Sequence, residues 1–326
     1  MNDHGVVLTY HHVSEDTPPS TSVTPAKFAA QLAYIDANGY IVWPLTRLIE
    51  KLRARQSVPD NVLAITFDDA YQSVFTQARK LLQAYGWPYT VFVTTDGIDD
   101  NLIPYMSWSQ LKTLADEGVE IGNHSQTHGH LANRLAGEDS ASWEDRVRED
   151  IETAQRRIKD ELNLTATLFA YPYGEYTRAL SAEIETMGLT GFGQHSGAIG
   201  FESDFSALPR FPVGGAYTDL ELLATRLNAR PLTIRAFPPG PMLGDSENLR
   251  PALMLQIAPG PYDPNRIGCF ASDQGRMLLE PTADRSVVKI QPRKPLKSGR
   301  SKFNCTIPHQ SRPDEFFWWS YLVVMP

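Results

Sequence analysis

The chain has 326 residues, 42% of them hydrophobic, enough for one large domain and a smaller one. Its formal charge of −8, without any cluster of lysine and arginine, argues against nucleic acid or an anionic membrane as the main partner. No apolar run reaches the length of a membrane span, and Met1 to His4 leads straight into the first apolar segment without a signal-peptide pattern. As it stands the sequence reads as cytoplasmic, or as periplasmic or secreted if a leader preceded it.

In chain order, Val6 to Tyr10 reads as a strand that runs into His11-His12. A helix is expected from Pro25 to Ala37, with Thr24 as its N-cap and Phe28, Leu32 and Ile35 at helical spacing. A short strand at Tyr40 to Trp43 and a helix at Thr46 to Arg55 precede Leu63 to Phe67, where large side chains alternate with Ala64 and Thr66 as in a strand buried on both faces. Helices are then expected at Gln72 to Tyr85, Trp108 to Glu117, Trp143 to Leu162, Arg178 to Met187 and Asp219 to Asn228. Strands are expected at Tyr89 to Thr94, Val119 to Gly122, Thr167 to Tyr171 and Leu189 to Phe192. Roughly seven strand-helix alternations predict an α/β fold with parallel strands.

After about Arg230 prolines become frequent and helical periodicity is lost. Short β-like runs at Ala252 to Ile257, Val287 to Ile290 and Phe316 to Val324 predict a small all-β, sandwich-like domain over residues 231–326, with residues 1–230 as the larger unit. Cys269 and Cys305 both fall in it, and either pair or stay as buried thiols. The aromatic run Phe316 to Tyr321 would put rings on both faces of a strand, either to bind glycan or to close the sandwich and seat it on the larger domain.

Polar clusters decide what the larger domain does. Asp68 and Asp69 end an apolar strand, where two adjacent carboxylates raise one another's pKa unless a cation separates their roles. The plain alternative is that Asp69 caps the following helix. His124 and His128 lie four residues apart, so one helical turn would present both imidazoles on one side, at metal-ligand spacing. Two imidazoles and a carboxylate leave an open position, as at a catalytic zinc. His130 follows the helix-breaking Gly129 and is read as a solvated histidine. His11, the Asp pair, His124 and Pro172-Tyr173-Gly174 all follow strand ends, which converge on one face of a (β/α) barrel.

Thr66-Phe67-Asp68-Asp69, His124-Ser125-x-x-His128 and Pro172-Tyr173-Gly174, in this order, resemble the first three motifs of the polysaccharide deacetylases, the NodB-homology or carbohydrate esterase family 4 proteins. The resemblance spans about Val6 to Leu227. It implies a distorted (β/α) barrel of about seven strands that removes N-acetyl groups from N-acetylglucosamine-containing glycans, with one divalent metal, zinc first and cobalt, nickel, manganese or iron as compatible substitutes. It also implies Asp69, His124 and His128 as metal ligands, Asp68 as catalytic base, and the backbone N–H of Tyr173 as an oxyanion donor beside Pro172.

The chain departs from the commonest pattern. Ala70 replaces a glycine, Ala170 stands where the third motif normally has arginine, and neither an Asp-x-x-Asp-Trp nor a Leu-x-His motif is visible. Leu8-Thr9-Tyr10-His11 resembles instead the permuted branch containing the poly-β-1,6-N-acetylglucosamine deacetylases, which implies His11 as general acid. His195 competes for that role or for substrate binding, and strand alternation does not separate His11 from His12. Arg210 is the candidate replacement for the missing arginine, holding Asp68 ionised. Trp108, with Trp87 and Tyr105, either lines a sugar cleft or packs. The readings left open beside a deacetylase are a barrel that binds carbohydrate without catalysis, and a hydrolase of a non-sugar amide or ester.

Overall fold

The structure is a computed structural model, and it describes residues 3–238, 242–243, 247–282 and 287–325. Met1 and Asn2 therefore lie outside the described residues. Parallel strands His4–Tyr10, Val62–Phe67, Thr90–Val93, Glu120–Asn123, Leu168–Ala170 and Thr190–Phe192 pair in that order. The ring is completed by a short segment. Leu208 bridges in parallel to Phe192, while Phe211 and Pro212 pair in parallel with Leu8 and Thr9 of the first strand. The result is a distorted (β/α) barrel, as expected.

Alternation explains how each strand serves two layers. Leu8, Tyr10, Leu63, Ile65, Phe67, Val91 and Val93 pack against Phe28, Leu32 and Ile35 of helix Pro25–Ala37, Leu82 of helix Arg79–Tyr85 and Leu111 of helix Trp108–Asp116. Val7, Ala64, Phe92, Leu168, Phe192 and Leu208 form a second cluster across the barrel. Space there is tight. A Cβ added to Gly122 would lie 2.4 Å from the ring of Phe92.

Element positions match the periodicity closely, with helices at Leu45–Arg53, Ser140–Leu162, Arg178–Thr186 and Leu220–Leu227. One expectation is modified and one fails. The helix expected at Gln72 to Tyr85 is present, with a wide π turn, Val74–Ala78, set into it. The segment His124 to His128 forms no helical turn, because Ser125 and His128 have left-handed backbone, with φ of 70° and 53°. Side chains hold that loop instead. Asn123 Oδ1 accepts from the Ser125 N–H at 2.8 Å, Ser125 Oγ accepts from the His128 N–H at 3.0 Å, and Asp150, on helix Ser140–Leu162, accepts from the Gln126 N–H at 2.8 Å.

The C-terminal part is all-β. One sheet runs Ala229–Pro231, Phe316–Met325, Gly299–Pro308, Gly268–Ala271 and Gly275–Arg276; the other runs Ile234–Phe237, Leu253–Ile257, Val287–Gln291 and Leu278–Pro281. Leu253, Leu255 and Ile290 of the second sheet meet Phe303, Ile307, Phe317 and Tyr321 of the first in a common core. Cys269 and Cys305 sit opposite each other on neighbouring strands of the first sheet and are disulfide-bonded. The strand Phe316–Met325 also faces the barrel: Trp318 packs on Phe211 at 5.2 Å between ring centroids, and Leu322 and Val324 join Phe169 and Tyr171. No helix among the described residues is long and apolar enough to cross a membrane.

Candidate metal and catalytic site

Asp68 and Asp69 follow strand Val62–Phe67, but the chain does not enter a helix there. Asp69 and Ala70 both adopt left-handed backbone, φ 70° and 55°, which turns the two carboxylates in different directions and explains why glycine suits position 70. Asp69 caps nothing. Its Oδ1 lies 3.1 Å from His124 Nε2 and 3.1 Å from His128 Nε2. His124 Nδ1 is 2.7 Å from the Ala170 carbonyl oxygen, which can only accept, so Nδ1 carries the proton and Nε2 presents a lone pair. That lone pair faces Asp69 Oδ1, and both atoms are buried without a hydrogen-bond partner. Two electron-rich atoms converge in this way where a cation joins them. Asp69, His124 and His128 thus suit a divalent metal: one carboxylate and two imidazoles whose donor atoms lie within 4.8 Å of one another.

Asp68 points to the other side, into the barrel, and is fully buried. Arg210, also fully buried and carried on the segment that closes the barrel, grips it with both terminal nitrogens: Nη1 to Oδ1 at 2.7 Å and Nη2 to Oδ2 at 2.8 Å. Arg210 Nε donates to the Gly193 carbonyl at 2.9 Å, and the guanidinium carbon lies 5.2 Å from the centre of the Phe92 ring. Burial alone would push the Asp68 carboxyl up, but the Arg210 guanidinium holds it below the ordinary value of 3.8. Asp68 is therefore a buried, oriented carboxylate.

His11 Nε2 stands 4.0 Å from Asp68 Oδ2, and Gln194 Nε2 lies 3.4 Å from each of those two atoms. Burial lowers the His11 pKa from 6.5, partly offset by Asp68 and Asp69. His12 turns away, stacked on Tyr71 at 3.7 Å between ring centroids. Tyr173, left-handed at φ 58°, follows the buried Pro172 in a tight turn, and its ring covers His128 at 4.6 Å and stacks on His130 at 4.1 Å. His130 is not merely solvated, because its Nδ1 pairs with Glu175 Oε2 at 2.7 Å.

Two expected residues sit elsewhere. His195 lies against Tyr176, its Nε2 3.4 Å from the hydroxyl, beside a cavity of about 470 Å³ in the seam between barrel and sandwich. Burial, then the nearby Lys302 and Arg210 charges, push its pKa down to about 3, so it is a neutral imidazole set in the seam. Trp108 opens helix Trp108–Asp116 and donates Nε1–H to Asp99 at 2.7 Å, with Arg157 5.6 Å above its ring. That is a packing role. Gln194 is the residue that sequence reasoning passed over, though its position just after strand Thr190–Phe192 carried the same signal as the other strand-end residues.

The profile of the polysaccharide deacetylase family matches residues 55–192. Among curated proteins, the poly-β-1,6-N-acetyl-D-glucosamine N-deacetylase of Escherichia coli K12 is 22% identical over 63% of this chain, but the match spans only 36% of that relative's length. Among solved structures, IcaB from Ammonifex degensii superposes with a TM-score of 0.60 at 24% identity, covering 69% of this chain and 97% of the other. The deacetylase PplD of Streptococcus pyogenes superposes with a TM-score of 0.61 at 19% identity over 69% of this chain and 98% of its own. The fold is theirs. The shared fold, and the match of residues 55–192 to that family's profile, make the barrel of this chain similar to the polysaccharide deacetylases.

Proposed function

We propose that this protein is a metal-dependent hydrolase that removes N-acetyl groups from N-acetylglucosamine-containing polysaccharide or oligosaccharide. The observation that carries the reading is the split between adjacent carboxylates: Asp69 converges with His124 and His128, while Asp68 is clamped by Arg210 beside His11. The name of the Escherichia coli relative supports the substrate class.

An N-acetyl amide resists hydrolysis because its carbonyl is weakly electrophilic and its leaving amine strongly basic. A divalent cation held by Asp69, His124 and His128, zinc in the first place, would polarise that carbonyl and acidify the attacking water. Asp68, ionised and fixed by Arg210, takes the water proton as the new C–O bond forms. The Tyr173 backbone N–H, in the turn beside His128, helps stabilise the developing oxyanion. His11 delivers a proton to the nitrogen as the C–N bond breaks, so that acetate and a free amine leave. Tyr173 and Pro172 would border the bound sugar.

The test is acetate release from β-1,4 and β-1,6 N-acetylglucosamine oligomers by protein stripped of metal and then resupplied with zinc. Release that returns with zinc is expected, and the preferred linkage narrows the substrate. No release from either oligomer by protein carrying stoichiometric metal would overturn the reading.

A further inference from the structure

The loop after strand Thr190–Phe192 is held from two sides. From within the barrel, Arg210 takes the Gly193 carbonyl through Nε at 2.9 Å and the His195 carbonyl through its backbone N–H at 3.0 Å. From the sandwich, Lys302 Nζ donates to the Gln194 carbonyl at 2.6 Å and Ser320 Oγ donates to the Ser196 carbonyl. Arg300, two residues from Lys302 on strand Gly299–Pro308, reaches the Tyr173 carbonyl and lies 5.7 Å from its ring centre. Gln194 also packs into the Pro172–Gly174 turn, where a Cβ on Gly174 would lie 2.5 Å from Gln194 Cβ. The sandwich thus touches the backbone of both loops whose residues face the metal and base.

Lys302 is the informative contact. Lys302 is half-buried, and among the described residues no carboxylate lies within ion-pair distance of it. Burial accordingly pushes its pKa down to about 8. What it holds is the backbone of Gln194, whose side-chain amide nitrogen touches both His11 Nε2 and Asp68 Oδ2, at 3.4 Å from each. We infer that Lys302 is a positioning residue: through the Gln194 carbonyl it fixes the Gln194 amide against both base and acid, which makes the C-terminal sandwich part of the catalytic unit. The inference rests on the roles given above to Asp68 and His11.

Lys302→Met keeps the length of the stem and removes the donor. The expected result is a fall in kcat of about ten- to a hundred-fold, the scale of a small misplacement of a reacting group. KM and metal stoichiometry stay near wild type, and the backbone amides of residues 193–196 exchange faster with solvent. Lys302→Arg, which retains a donor, recovers part of kcat. Lys302→Met combined with Gln194→Ala falls no further than Gln194→Ala alone, because both act through one contact. A purely structural lysine would instead lower stability and metal content and add to the Gln194→Ala loss, which would overturn the inference. So would wild-type kcat or unchanged exchange at residues 193–196 in Lys302→Met. Lys289→Met, removing an exposed pair with Glu280 on the opposite sheet, serves as the control that leaves both readouts unchanged. If wild-type protein deacetylates nothing, the proposed function fails, and the exchange measurement alone decides whether Lys302 orders the loop.

Discussion

Asp68 and Arg210 are both completely shielded from solvent, and a fully buried ion pair is tolerable only because each charge answers the other. Replacing Arg210 with Met should therefore destabilise the protein by about 3–5 kcal/mol, since it leaves Asp68 buried without its cation. Asp68→Asn should behave differently, lowering turnover by about 10² to 10⁴ while metal still binds through Asp69, His124 and His128. The double variant Asp68→Asn/Arg210→Met should recover part of the stability lost in Arg210→Met, because the stranded charge is gone. Denaturant unfolding of the three variants measures this, and a double variant no more stable than Arg210→Met alone would contradict it. At this scale the Asp pair and the His124/His128 spacing were legible because chemistry of that kind sits at strand ends in recognisable patterns. Gln194 was not, because an uncharged amide beside a histidine carries no distinctive signal until the barrel brings it to Asp68.

Among the elements, the strands and helices of the barrel could be read from periodicity, since each strand alternates between a helix-facing side and a barrel-facing side. The closing segment Leu208 to Pro212 could not. It contributes only a single bridge to Phe192 and two paired residues against the first strand, too little for a hydrophobic period to register. The loop at His124 to His128 escaped for another reason: the spacing that suits a helical turn is achieved by left-handed residues held by Asn123, Ser125 and Asp150. Strand Glu120–Asn123 ends next to that loop, and its Gly122 exists to admit the Phe92 ring on which Arg210 lies. Gly122→Ala should overpack the barrel at a cost of about 1–3 kcal/mol and lower kcat by disturbing the support of Arg210. Adding Phe92→Leu, which makes room for the new methyl, should return part of both. Thermal unfolding at wild-type temperature for Gly122→Ala would show that the barrel has slack that the structure lacks.

For the whole molecule, proline frequency and lost helical periodicity marked where the all-β part begins, but not how it engages the barrel. Trp318, Leu322 and Val324 seat the last long strand on the barrel, while Ala229–Pro231 leaves the barrel to pair with that same strand. His195 is enclosed at this seam, with a lowered pKa of about 3 caused by burial and by Lys302 and Arg210. Unfolding restores an ordinary histidine near 6.5, so between these values the unfolded chain binds a proton that the folded one refuses. The contribution of His195 to stability is therefore complete above about pH 6.5 and declines as pH falls toward 3. By linkage the loss reaches on the order of a few kcal/mol at the acid end. His195→Asn, which cannot take up that proton, should show a shallower fall in stability between pH 6.5 and 4 than the parent protein. Denaturant titrations across that range measure the two slopes. If they are equal, the acid sensitivity of the fold resides in other groups, and the seam accommodates an imidazolium that the burial of His195 should forbid.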